Sequence, residues 1–173
     1  MVAIPISTGP LPDHDHAEQN PCQEENQAML KNINPLLNPD ILYALASMGH
    51  GDTVTICDSN FPATAMAAET ITGEALQLAV DAPTALETLL SVIPIDTFDL
   101  EIPPVQGMQV VGAPDEIPPC MQDCAPLVEA EGSKISLVER HAFYEIAKRS
   151  FVIIRTLETR PYGNLVIRKG VII

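Results

Sequence analysis

NPDILYALASMGHGDTVTICDSNFP, running from Asn38 to Pro62, holds a helix, a histidine turn and a strand that ends in a carboxylate, and the rest of the chain is organised around it. Asn38 suits a helix N-cap, because its side-chain oxygen can accept from an otherwise unpaired amide. Pro39 suits the first helical position, where no N–H is needed. Ile41, Leu42, Leu45 and Met48 recur at helical spacing and give one apolar face. The spacing predicts that Gly49 stops the helix by entering the left-handed region, leaving His50 on a turn between two glycines. Thr53-Val54-Thr55-Ile56-Cys57 is β-branched and alternating, so it reads as a short strand with Asp58 at its carboxyl end. In open α/β sheets ligands bind at that end.

Imidazole is the one side chain whose ordinary pKa lets it give and take a proton near pH 7. An ionised Asp58 is an acceptor only and can hold hydroxyls or orient the imidazole. The two make a plausible general acid/base site. Spacing alone favours a plainer account, in which His50 is a solvated turn histidine and Asp58 opens an Asx-turn before Pro62.

The 173 residues suffice for one domain with a real core. Although 46% of them are apolar, no run reaches the length of a membrane span. The N-terminus lacks the basic and apolar regions of a signal peptide, so a soluble cytoplasmic protein is expected, with its four cysteines as thiols. The net charge of −14 is divided unevenly: residues 1–133 hold 20 acids and one base, Lys31, whereas residues 134–173 hold 8 bases and 3 acids. Such a balance excludes nucleic-acid binding by counterion release. It also sets a basic C-terminal part against the acidic remainder, within the chain or between subunits.

Residues 1–28 are acidic, without a base, and are expected to be disordered. His14, His16 and Cys22 are too few donors in such a tail for a closed metal site. Ala63 to Ala68 reads as a close-packed connection and Thr70 to Thr72 as a short strand or arm. Asp81 caps a helix with Pro83 in its first turn and Leu86, Leu89, Leu90 and Ile93 on its buried face, ended by Pro94. Met108 to Val111 reads as a strand, and Pro114 to Pro126 as a proline-rich surface connection with a single helical turn. Cys120 and Cys124 are expected to pack, since the local sequence supplies no further zinc ligands. Ile135 to Val138 is a strand with Arg140 just beyond it, followed by a short helix that buries Phe143, Ile146 and Ala147 and ends in Lys148 and Arg149. Phe151 to Ile154 suits a strand buried on both faces, and Leu165 to Ile173 a last strand broken at Gly170. Helices alternating with short apolar strands predict an α/β sandwich with a mostly parallel or mixed central sheet, one domain over residues 29–173.

Four blocks occur together: M-G-H-G-D at Met48 to Asp52, C-D-S-N-F-P-A at Cys57 to Ala63, A-F-Y-E-I-A-K at Ala142 to Lys148 and Y-G-N-L at Tyr162 to Leu165. In this order they resemble the fucose branch of the family that holds the L-fucose mutarotases and the D-ribose pyranases. The resemblance runs from about Met29 to the C-terminus. Ribose-branch members usually carry Asp-Ala-Gly-Leu-Pro where this chain has Asp58-Ser59-Asn60-Phe61-Pro62. The resemblance implies a three-layer, ribose-pyranase-like α/β/α sandwich and an isomerase that interconverts the anomers of L-fucopyranose by general acid/base ring opening. It implies a monosaccharide ligand, no metal, no cofactor, and a homo-oligomer, since bacterial relatives form decamers with shared sites. Position by position it puts the acid/base histidine on His50, the sugar-binding aspartate on Asp58, the arginine on Arg140 and the sugar-binding segment on Tyr162, Gly163 and Asn164. The Tyr162 hydroxyl or an ordered water then serves as second proton-transfer group, and Phe61 as a wall for the C6 methyl.

The chain departs from the family at Asn60, where many bacterial relatives carry histidine, and at Leu157-Glu158, where a Gly-Glu pair often stands. Each carried-over residue also has a plain alternative: Arg140 as a surface cation, Tyr162-Gly163-Asn164 as a turn before a strand. Rival functions are a D-ribose pyranase and a monosaccharide-binding or sensing module without turnover. A dinucleotide site is disfavoured because Gly49-His50-Gly51 follows a helix and has Val54 where a third glycine is needed. A Gly-x-Ser-x-Gly elbow is absent.

Overall fold

Asn38 caps the first helix as its side chain suggests, its Oδ1 accepting from the Ile41 amide at 2.9 Å. Asp81 does the same for a later helix, accepting from the Thr84 amide at 2.9 Å. The structure, a computed structural model, describes residues 30–98 and 101–172, so the expectation for residues 1–28 lies outside it. In chain order the elements are α1 (Pro39–Ser47), β1 (Thr53–Cys57), α2 (Ala63–Ala67), β2 (Ala75–Gln77), α3 (Ala82–Leu90), β3 (Val105–Met108), α4 (Pro119–Ala130), β4 (Ile135–Val138), α5 (Arg140–Lys148), β5 (Val152–Arg155) and β6 (Leu165–Arg168).

The strands form one six-stranded sheet in the order β2-β5-β1-β6-β3-β4. Neighbours run parallel except β6, which is antiparallel to both β1 and β3. Side chains alternate between the two faces of a strand, and here both faces are covered. Val54, Ile56, Val152, Ile154, Leu165 and Ile167 pack under α1, α3 and α4. Cys57, Ile153 and Val166 pack with Phe61, Phe143 and Ala147 against α2 and α5. The result is the expected α/β/α sandwich, and it explains why β5 and β6 read as unbroken apolar runs. Each fully buried Ile or Phe in these layers stabilises the fold by about 1.5–3 kcal/mol.

Several local expectations need correction. Gly49 is not a left-handed cap: α1 ends in an extended Met48 (φ −69°, ψ 135°), and the Gly49 amide donates to the Asp52 carboxylate at 2.7 Å. The left-handed residue of the turn is Gly51, at φ 87°. The connection read at 63–68 is helix α2, whereas Thr70 to Thr72 form an arm as expected, bonded to the Ser150 and Phe151 carbonyls. The strand read at 108–111 lies three residues earlier, as β3, where Gly107 lets Leu137, Met121 and Ile135 pack within about 3 Å of where a Cβ would sit. The stretch 114–126 contains most of helix α4. Pro119 starts α4 and Pro118 is extended, as a residue before proline must be. Pro126 inside it costs a backbone bond, which the burial of Cys120, Met121, Cys124 and Val128 on one face offsets. The last strand stops at Arg168.

Cys57, Cys120 and Cys124 are free, buried thiols, as expected of packing cysteines. Burial, with the Asp58 carboxylate adding to it, pushes the Cys57 thiol up to about 12. Among the described residues no helix is long and apolar enough to cross a membrane.

Candidate functional site

The antiparallel β6 determines which residues share an end of the sheet. Its register sets Leu165 against Ile56 and Arg168 against Thr53. Asn164 therefore meets Asp58 at the carboxyl end of β1, while Arg168 meets the His50 turn at the other end.

At the first end, Asp58 and Asn164 grip each other: the Asp58 amide donates to Asn164 Oδ1 at 3.0 Å, and Asn164 Nδ2 donates to Asp58 Oδ2 at 2.8 Å. Asp58 is only 3% exposed. Its Oδ1 also accepts from the Asn60 and Phe61 amides at 2.9 and 3.0 Å, so the Asx-turn expected from spacing is present. A carboxylate has about four acceptor positions; three are filled here, leaving one on Oδ2. Tyr162 is held left-handed at φ 63°, and its hydroxyl accepts from the Val111 amide at 3.3 Å, while its own hydrogen finds no acceptor among the described residues. Phe61 lies in the core layer covered by α2 and α5, edge-on to Phe143 and Tyr144 with ring centres 6.1 and 5.6 Å away. Arg140 opens α5 at the same end of the sheet, and among the described residues its buried Nε finds no acceptor.

Glu158 shapes the loop that carries Tyr162, Gly163 and Asn164. Its carboxylate accepts from the Arg160 amide and Nε at 2.9 Å, from Arg160 Nη2 at 2.8 Å and from the Ala82 amide at 3.4 Å. Arg160 also reaches Asp123 on α4. The Arg160 guanidinium outweighs the cost of burial and holds the Glu158 carboxyl at about 2. Through its carbonyl, Glu158 accepts from the Ser59 amide at 2.8 Å, tying this loop to the Asp58 turn. Gly163 fits beneath, where an added Cβ would lie 2.7 Å from Glu158 Cγ.

His50 occupies the opposite end, 46% exposed. Its Nε2 lies 3.2 Å from Oδ2 of the buried Asp96, which is also 2.9 Å from Arg168 Nε. Burial pulls the Asp96 carboxyl up, but the Phe98 amide, His50 and Arg168 together outweigh it and hold it below the usual carboxylate range. An ionised carboxylate only accepts, so Nε2 carries hydrogen and Nδ1 is the nitrogen left for proton exchange. The imidazole opens onto a cavity of about 500 Å³ whose walls include Ile102, Pro104, Gln106 and Arg149. No sequence pattern marked Asp96 or Arg168, and Glu158 stood out only as part of the Leu157-Glu158 departure. The signal available was a charged residue beside apolar neighbours, at the end of β6 and within Pro94-Ile95-Asp96.

The described chain thus gathers Asp58, Arg140, Tyr162, Gly163 and Asn164 at one end and His50 at the other. Between them run the five residues of β1, about 13 Å of strand at the usual rise.

Fold and site together define an α/β protein with polar sites at the two ends of a covered sheet. The model of the RbsD / FucU transport protein family matches residues 31–172, and the chain belongs to that family. It is 37% identical over 154 residues to the fucose mutarotase of Danio rerio, covering 83% of this chain and 95% of that one. To the Homo sapiens fucose mutarotase it is 37% identical over 151 residues, covering 83% and 94%. The crystal structure of the Streptococcus pneumoniae fucose mutarotase in complex with L-fucose superposes with a TM-score of 0.72 at 32% identity, covering 83% of this chain and all of that one.

Proposed function

We propose that this chain is an L-fucose mutarotase, an isomerase acting on the anomeric centre, and that its site forms between copies of the chain, the His50 end of one meeting the Asp58 end of the next. The observation that carries this reading is the His50–Asp96 contact. A half-exposed imidazole backed by a buried carboxylate, beside a cavity of about 500 Å³, is built to move a proton. Likeness to fucose mutarotases supports the substrate. Exposed Phe98 and Ile102 beside His50, and exposed Val111 and Leu157 near the other end, supply apolar surface for a head-to-tail contact, which closes into a ring.

Mutarotation requires a proton taken from the anomeric hydroxyl and one delivered to the ring oxygen, then rotation about a carbon–carbon bond and reclosure. His50 Nδ1 handles one proton; the free hydrogen of the Tyr162 hydroxyl, or a water, handles the other. The Arg140 guanidinium and the open lone pair of Asp58 bind sugar hydroxyls, with Tyr162 and Gly163 forming the adjacent wall. Asn164 acts chiefly by holding Asp58, and Phe61 by backing the pocket from the core. Positioned acid/base groups supply about 10²–10⁴-fold, enough to matter for a reaction that already proceeds in water. The compartment consistent with this reading is the cytoplasm.

Magnetisation-exchange NMR between the anomers of L-fucose, and separately of D-ribose, tests the reading with wild type, His50→Ala and Arg140→Ala. Both variants should lose the fucose exchange. Mixing them after dissociation and reassembly should restore up to about a quarter of wild-type activity, because that share of randomly assembled shared sites has both halves intact. Unchanged exchange in His50→Ala removes His50 from the mechanism, faster ribose than fucose exchange reassigns the substrate, and no recovery on mixing refutes the shared site.

A further inference from the structure

We propose that Lys169 is a positioning residue for His50, clasping the histidine turn from both sides; the assignment rests on the mutarotase reading above. Helix α1 ends without a left-handed glycine, since Met48 is extended, so the carbonyls of its last turn lack the usual main-chain partners. The Lys169 ammonium takes their place, donating to the Leu45 carbonyl at 3.2 Å and to the Met48 carbonyl. A cation at this position also complements the helix dipole.

The main chain of the same residue holds the far side of the turn. Its amide donates to the Asp52 carbonyl at 2.8 Å, and its carbonyl accepts from the Gly51 amide at 2.9 Å. His50 therefore lies between Met48, held by the Lys169 side chain, and Gly51 with Asp52, held by the Lys169 backbone. The residues on either side of Lys169 brace the partner of His50. Arg168 pairs with Asp96, and Gly170 packs against Ile95, where a Cβ would lie 2.6 Å from the carbonyl oxygen. Three consecutive residues thus fix the turn, the carboxylate behind the imidazole and the segment that carries it. The side chain of Lys169 can be removed without touching the main-chain clasp. The ammonium lies toward the helix, and the sugar-holding groups lie at the other end of the sheet, so its loss should impair turnover rather than affinity.

Lys169→Met keeps the aliphatic stem and the backbone clasp but removes all three donors, whereas Lys169→Arg keeps charge and donors. With L-fucose exchange followed to saturation, Lys169→Met should lower kcat by about tenfold or more at nearly unchanged KM, as expected when a catalytic group is misplaced by a fraction of an ångström. Lys169→Arg should recover most of the loss. Wild-type kcat in Lys169→Met, or a loss confined to KM, overturns the proposal. Should Lys169→Met not fold, Lys169→Gln is read instead by the same criteria. The ring-nitrogen shifts of His50 and the hydrogen exchange of the Met48 and Gly49 amides are followed in parallel and need no turnover. Shifted ring signals with faster exchange in the variant are expected, and unchanged values overturn the brace. If wild type does not speed fucose exchange, the mutarotase reading fails while these signals still decide on Lys169.

Discussion

Replacing Gly163 by alanine adds one methyl group at a crowded point of the loop that carries Tyr162 and Asn164. Gly163 does not have a positive φ, so the cost is steric, not conformational. The new Cβ would stand 2.7 Å from Glu158 Cγ and 3.3 Å from both the Arg160 carbonyl oxygen and Cys120 Sγ, whereas carbon atoms prefer about 3.5–4.0 Å. Glu158 cannot retreat cheaply, because its carboxylate is held by Arg160 and the Ala82 amide. Overpacking of this kind costs about 1–3 kcal/mol, which in a chain of this size lowers Tm by roughly 2–12 °C. Melts belong at one protein concentration, since assembly shifts Tm. The cause is isolated by Glu158→Ala, which deletes the Cγ. On that background the nearest neighbours of the added methyl stand 3.3 Å away, and its cost should fall below about 1 kcal/mol. Four melts complete the cycle. An equal penalty with and without Glu158, or a Gly163→Ala protein as stable as wild type, refutes the packing argument. Because the methyl pushes on Glu158 and Arg160 in the loop that carries Tyr162 and Asn164, the single variant should also lose fucose exchange.

Asn164→Asp sets a second carboxylate against Asp58 Oδ2, where the amide now donates at 2.8 Å. Two buried carboxylates this close repel unless one is protonated, so the variant should fall further below wild type in Tm as pH rises, by about 1–3 kcal/mol at neutral pH; a deficit independent of pH counts against the contact. Glu158 gives the opposite sign. Its folded-state value of about 2 lies below the ordinary 4.5, so its contribution is fully present above about pH 4.5 and is lost as pH falls toward 2. Glu158→Gln should flatten that part of the acid-unfolding profile, and an unaltered slope there rules the carboxylate out as its source.

Local chemistry carried much of the fold. The caps Asn38 and Asp81, the β-branched run of β1 and the apolar strands β5 and β6 appear where side-chain geometry and periodicity put them. Misreadings arose where packing overrides propensity. Helix α4 holds an interior proline because its buried face compensates, and β3 includes a glycine because helix α4 and strand β4 crowd that point. Gly49 fits a glycine cap by sequence, yet Asp52 and Lys169 end the helix by other means.

By itself the sequence determined which side chains can do chemistry: an imidazole between two glycines, a carboxylate after a strand, and a Tyr-Gly-Asn bend before another. Hydrogen-bonding capacity and turn propensity belong to the residue and its neighbours, so they survive without coordinates. Only the tertiary structure decided which of these groups share an end of the sheet, because that depends on β6 running antiparallel to β1. A strand's direction and register are set by long-range pairing and by the layers that cover it. The same pairing brings Asn164 to Asp58 and sends Arg168, with Asp96, to His50, so the groups proposed to hold the sugar and the proposed acid/base histidine lie at opposite ends of the sheet.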